Sequence, residues 1–269
     1  MSATIYKHEI LTHLKSIIIW SLGIGLLVIF FLSIFPSFSE QAALLNEMLA
    51  KFPPQLLAAF GLGNMDMSSL LGYFAFLVTF IQLCLAIQAA NYGFGLVSIE
   101  ESELTADFLL SKPVSRWQVM TSKLLAAITS LLLTDLVVWV WSYICILAFH
   151  GNHPYDTSTL LLLFGSLFIF QLFFLGLGLA ISLLVRRVRS VTPYALGLAF
   201  GAYMLNAFGR IFGQVDLELI TPFKHFDPIA IVDKVAYDTP LVLINVAVTV
   251  VSIALGYWLY IRRDIPAVS

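Results

Sequence analysis

Six long apolar runs constrain this chain more than any other feature of it. They cover residues 17–35, 70–99, 124–149, 159–185, 191–208 and 241–261. A helix needs roughly 20 apolar residues to cross about 30 Å of hydrocarbon, and the runs are of that length. The second carries no charge, and the third is broken only by Asp135. They are too long for ordinary strands and lack the period-two alternation of a membrane barrel. The chain as a whole is 60% hydrophobic and 11% charged, against about 25% charged for a soluble domain. A water-soluble fold would have too little polar surface to show. The expectation is therefore an all-α polytopic membrane protein with six transmembrane helices in one domain covering residues 1–269.

Charge orients these spans. With six crossings, the N-terminus, the second and fourth loops and the C-terminus share one side. That side holds Lys7, Lys15, Lys112, Arg116, Lys123, Arg186, Arg187, Arg189, Arg262 and Arg263; the other holds Lys51, Arg210, Lys224 and Lys234. Lys and Arg concentrate in cytoplasmic loops, so both termini are expected inside. The first run follows Lys7 and Lys15 as a signal peptide would, but it exceeds the usual apolar length of about 7–15 residues and no small-residue cleavage site follows at once. The net charge of −2 argues against nucleic acid as the main partner. Cys84 and Cys145 sit in apolar runs and read as small hydrophobes.

The connecting segments differ in character. Residues Thr4–Leu14 mix apolar and charged positions and suggest a short helix lying in the cytoplasmic interface. The outer segment 36–69 contains a plausible amphipathic helix from Gln41 to Phe52, stopped by Pro53-Pro54. The outer segment 150–158 is short. The outer segment 209–240 is rich in Phe, Ile and Pro for a solvated loop, so part of it is expected to rest on or dip into the membrane. The cytoplasmic segment 100–123 begins with Glu100, Glu101, Glu103 and Asp107. An apolar patch of Phe108, Leu109 and Leu110 follows, then Lys112-Pro113-Val114, and Ser115 can cap a helix starting at Arg116-Trp117. A solvated turn does not account for three large apolar residues in a row; such a patch more often marks contact with a protein or with lipid headgroups.

The stretch Glu103-Leu104-Thr105-Ala106-Asp107-Phe108-Leu109-Leu110-Ser111-Lys112-Pro113-Val114-Ser115-Arg116, with Lys123 after it, resembles the cytoplasmic coupling segment of ABC-2-type transporter permeases. These are the membrane subunits of ATP-driven exporters. Leu104 stands where family members commonly have Gly. Leu219-Ile220-Thr221-Pro222-Phe223-Lys224-His225-Phe226-Asp227 resembles the family's segment between spans five and six. The resemblance implies the ABC-2 exporter (type V) transmembrane fold, with short cytoplasmic interfacial and coupling helices. It also implies a dimer with a second copy or a related permease, two copies of an ABC ATP-binding subunit, and a multi-pass place in the bacterial cytoplasmic membrane. Within it, Glu103, Asp107, Phe108, Leu109, Leu110, Pro113, Val114, Ser115 and Arg116 contact the ATPase. Gly-x-x-x-x-Gly-Lys-[Ser/Thr], the phosphate cradle, does not occur. ATP and Mg are then bound by the partner subunit, with no cofactor in this chain.

Other polar residues carry two readings each. Asp135, near the middle of the third span, can bind a cationic substrate or carry a proton, or it can pair with a neighbouring helix. Gln88, Asn91 and Tyr92 share one helical face at i, i+3, i+4 spacing and either line a pathway or join helices. Gly93-x-Gly95, Gly176-x-Gly178 and Gly197-x-x-x-Gly201 permit close helix approach, within the chain or at a dimer seam. His8-Glu9 and His13 superficially resemble a zinc motif, but at 100° per residue the two histidines fall about 140° apart. His150, His153 and Asp156 fit a turn better than a metal site. No metal site is expected. The alternatives to an ABC permease are a proton-coupled secondary transporter using Asp135 and, with no convincing catalytic constellation, a membrane enzyme.

Overall fold

The computed structural model describes residues 2–41, 47–49, 51–59, 66–102, 115–151, 153–185, 188, 190–212, 217 and 219–262. The regular elements among them are helices: α1 (Ala3–Glu40), α2 (Pro54–Ala59), α3 (Leu70–Ser102), α4 (Arg116–Phe149), α5 (Thr157–Leu184), α6 (Val191–Phe212), α7 (Pro222–His225), α8 (Pro228–Lys234) and α9 (Thr239–Arg262). Five of them, α1, α3, α4, α5 and α9, are long and apolar enough to cross a membrane. The 22-residue α6 is not among the five.

Contacts between side chains fix the helix directions. Tyr6 meets Thr129 and Gly25 meets Trp141, so α1 and α4 run parallel. Gln88 meets Thr134 and Leu96 meets Lys123, so α3 runs opposite to α4. Phe74 meets Phe164, and Gly93 meets Leu175, which makes α3 and α5 parallel. Tyr257 meets Thr121, and the Ile261 carbonyl meets Arg116. One end of the bundle, here the proximal end, therefore gathers the start of α1, the end of α3, the start of α4 and the end of α9.

The α3–α5 pair is the spine of the fold. Leu77, Leu85, Ala89, Ala90, Phe170, Phe174, Leu175 and Leu179 are all buried. Glycines bring the two backbones together: a Cβ on Gly93 would lie 2.3 Å from the Leu175 carbonyl oxygen, and one on Gly178 3.1 Å from that of Ala90. Gly176 serves the contact of α5 with α9 in the same way, 3.2 Å from the Thr249 carbonyl oxygen. Gly197 and Gly201 of α6 meet nothing within 4 Å. The α1 helix lies along α4, and α6 lies along α3.

The first helix departs from the sequence expectation. There is no separate interfacial helix over Thr4–Leu14: α1 runs unbroken for 38 residues, through Pro36, to Glu40. Nothing between Leu14 and Ile17 breaks a helix, and Tyr6, Glu9 and His13 of its first turns find partners on α4, while Lys7 and His8 stay exposed. Leu11, Leu14, Ile18 and Leu22 continue one exposed apolar face. Of the helix expected over Gln41–Phe52, residues 42–46 and 50 lie outside those described.

The segment after α6 turns back into the bundle. Phe223 packs on Phe170, Phe174 and Tyr203, and the Phe226 carbonyl accepts from Gln82 Nε2 at 2.7 Å. Gln82 lies about 18 Å along α3 from Leu70 at 1.5 Å per residue, so the segment enters well below the helix ends. Its polar backbone is held there by that bond and by the Asp227 cap of α8, where Oδ1 accepts from the Ile229 amide at 3.1 Å. Arg210 Nη2 donates to Asp227 Oδ2 at 2.8 Å, tying the segment to α6.

Candidate functional site

Two helix ends frame the segment singled out by the sequence. Of the candidate contact residues, Glu103, Asp107, Phe108, Leu109, Leu110, Pro113 and Val114 lie outside those described. Ser115 and Arg116 are described. Ser115 starts α4 with a reciprocal cap: its Oγ accepts from the Gln118 amide at 3.3 Å, and its own amide donates to Gln118 Oε1 at 3.2 Å. Such caps satisfy donors that a helix start leaves unpaired. Arg116 donates to the Ile261 carbonyl at 3.5 Å, near the end of α9. Trp117 packs against Tyr257 with the rings tilted, centroids 4.7 Å apart, and Arg262 lies 4.6 Å from the Trp258 ring. The segment thus leaves and re-enters the bundle at the proximal end, beside the last turns of α9.

Inside that end is a polar layer made by α1, α3 and α4. Lys123 is 4% exposed; its Nζ donates to the Leu96 carbonyl at 2.6 Å and lies 3.6 Å from Glu9 Oε1. One turn deeper, His13 Nδ1 and Ser130 Oγ are 3.1 Å apart, and the His13 ring stacks on Tyr92 at 4.4 Å. Deeper again, Gln88 Nε2 donates to Thr134 Oγ1 at 2.9 Å. The sequence signal for this layer was a helical spacing of polar residues on three separate segments, whose convergence sequence alone does not reveal.

Gln88 and Tyr92 are therefore brought together, buried, joining helices. Asn91 instead donates to the Ile87 carbonyl of its own helix at 2.9 Å. Asp135 points elsewhere. It is fully buried against α5, where its Oδ1 accepts from Gln171 Nε2 at 3.0 Å. Among the described residues, Oδ2 of Asp135 and Oε1 of Gln171 have no partner, and no cation pairs with the carboxyl. The geometry is that of a helix-joining contact.

The short connection before α5 is organised by Asp156. Its carboxylate accepts from the Thr159 amide at 2.9 Å, from Thr159 Oγ1 at 2.7 Å and from the Ser158 hydroxyl. These donors push its pKa down to about 2. It caps α5, while His150 and His153 meet Tyr155 and Phe35 edge to face. Among the described residues no group of three or more His, Cys, Asp or Glu is placed to hold a metal.

The helical bundle, its apolar helices and its proximal polar end can be set beside known proteins. The family described as ABC-2 family transporter protein matches residues 3–265. The chain belongs to this family. A comparison with curated proteins gives no match. The chain is thus an ABC transporter permease, a multi-pass membrane protein. Permeases of this family are membrane subunits without an ATPase domain of their own and typically work with an ATP-binding subunit. Family membership does not favour the proton-coupled or enzymatic alternatives.

Proposed function

We propose that this permease is half of the translocation pathway of an ABC exporter and is driven through residues 100–123 by a separate ATP-binding subunit. One transmembrane domain spans residues 1–269, with α6 as a sixth crossing and both termini cytoplasmic. Two permeases, identical or related, assemble with two ATP-binding subunits, which bind ATP and Mg. The assembly sits in the bacterial cytoplasmic membrane. The observation that carries this reading is the placement of α3's end and α4's capped start at the bundle end where α1 begins and α9 finishes. Lys7, Arg116, Lys123 and Arg262 lie at that end, which supports a cytoplasmic setting by the distribution of positive charge.

In this mechanism, ATP-driven closure of the ATPase pair moves the segment around Leu109–Arg116. Phe108, Leu109 and Leu110 bury against the ATPase; Glu103, Asp107 and Arg116 orient the contact; and Pro113, Val114 and Ser115 set the turn into α4. The rigid helices pass the displacement to a pathway that includes Asn91 and the buried Gln88, Tyr92 and Asp135. The test is co-purification of the permease with its ATP-binding subunit, together with the ATPase rate of the complex. The Leu109→Asp/Leu110→Asp variant is expected to fold and to lose the subunit. Retention of the subunit at the wild-type ratio, with an unchanged ATPase rate, overturns the assignment of this segment.

A further inference from the structure

Lysine is almost never fully buried unless paired, and Lys123 is buried at a place where three helices meet. Its ammonium reaches the Leu96 carbonyl at 2.6 Å and Glu9 at 3.6 Å. Leu96 is six residues, about 9 Å, from the end of α3, and Lys123 is seven residues, about 10 Å, from the start of α4. The ammonium therefore joins the helix entering residues 103–114 to the helix leaving them, and joins both to α1.

The next layer repeats the arrangement. His13, Tyr92 and Ser130 lie four, four and seven residues from Glu9, Leu96 and Lys123, which keeps each on the same helix face. Each layer takes one group from α1, one from α3 and one from α4. Neither layer is demanded by packing: an apolar side chain of similar volume avoids the desolvation cost of a buried ammonium.

We infer that Lys123, held by Glu9, is a positioning residue that makes α1 move as one body with the two helices flanking residues 103–114. The inference rests on the proposed ATP-driven role of that segment. Without the clasp, α3 and α4 would still receive the displacement, but α1, which touches α4 along its length, could slide against them. The coupling has a stated physical carrier, a charged contact shared by three helices, as such a claim requires.

The experiment uses the full complex with the ATP-binding subunit, in lipid vesicles, carrying spin labels at His8→Cys on α1 and Thr192→Cys on α6, with Cys84 and Cys145 replaced by Ser. Both label sites are exposed. The distance between labels is measured without nucleotide and with ATP plus vanadate. Wild type is expected to show a nucleotide-dependent shift. Lys123→Met is expected to fold and keep the ATP-binding subunit but to lose most of that shift. Glu9→Gln should lose it likewise, the double variant should be no worse than either single one, and Lys123→Arg should restore it. An undiminished shift in Lys123→Met, or in Glu9→Gln should the first variant not fold, overturns the inference while leaving the ATP-driven reading intact. Failure of the wild-type permease to hold an ATP-binding subunit overturns that reading, and the inference with it.

Discussion

Replacing Gly93 by Ala tests the α3–α5 spine directly. A Cβ at this position would sit 2.3 Å from the Leu175 carbonyl oxygen and 3.0 Å from the Leu179 amide nitrogen. Both atoms belong to helix backbone, so no side chain can swing aside. Ordinary contact begins near 3.4 Å, and α5 must retreat by about 1 Å. Its neighbours Phe94, Phe174, Leu175 and Leu179 are all buried, so that movement opens contacts over the whole seam; a gap of about 0.5–1 Å forfeits a quarter to a half of each van der Waals well. Overpacking of this kind costs about 1–3 kcal/mol, and alanine's better helix propensity returns at most about 1 kcal/mol. Here the obstruction is backbone, so the cost belongs at the top of its range and the net loss is about 2 kcal/mol. At roughly 2–4 °C per kcal/mol for a chain of this size, the midpoint of thermal unfolding falls by about 4–8 °C. A thiol-reactive dye reports the transition in detergent, because Cys145 is buried and Cys84 half-buried. Gly23→Ala and Gly197→Ala are the controls, since neither Cβ meets anything within 4 Å. A Gly93→Ala midpoint equal to wild type, or controls that lose as much, would refute the reasoning.

The ion pair of the inserted segment and the cap of α5 give two further expectations. Arg210→Ala leaves the Asp227 carboxylate buried without its cation, and loss of one partner of a buried pair costs about 3 kcal/mol; Asp227→Asn keeps the cap acceptor for Ile229 but strands Arg210. A double-mutant cycle of Arg210→Met with Asp227→Asn should recover part of either loss, and strictly additive losses would contradict the pairing. Asp156, with its pKa lowered to about 2 from an ordinary value of 3.8, stabilises the fold above pH 4 and loses that contribution as pH falls towards 2. The gap in thermal midpoint between wild type and Asp156→Ala should therefore close over that window; a gap that holds constant from pH 6 to pH 2 argues against the carboxylate cap.

The apolar runs showed where the long helices lie because lipid imposes length and composition on each helix separately. The cap at Ser115 was legible for a similar reason, since a capping residue acts within four positions of itself. The course of α1 was not. A sequence reading sees Glu9 and His13 as polar and places them in the interface, whereas the fold supplies Lys123, Ser130 and Tyr92 as their partners. That Asp135 meets Gln171 of α5 was not legible either, since the two lie 36 positions apart on separate helices.

The glycines make the same point. All three motifs read alike in sequence, yet Gly93, Gly176 and Gly178 carry helix contacts, whereas a Cβ on Gly197 or Gly201 would meet nothing within 4 Å among the described residues. The segment 209–240 read as too apolar for water, but only the fold shows α7 and α8 wedged among four helices, with the Phe226 carbonyl on Gln82. The sequence by itself determined an all-helical membrane chain, where its long helices lie and its likeness to ABC-2 permeases, because hydrophobic length and local capping are properties of one segment at a time. Tertiary structure alone decided which polar residues meet and which glycines pack, because those depend on the rotation and register of one helix against another, and no single segment encodes either.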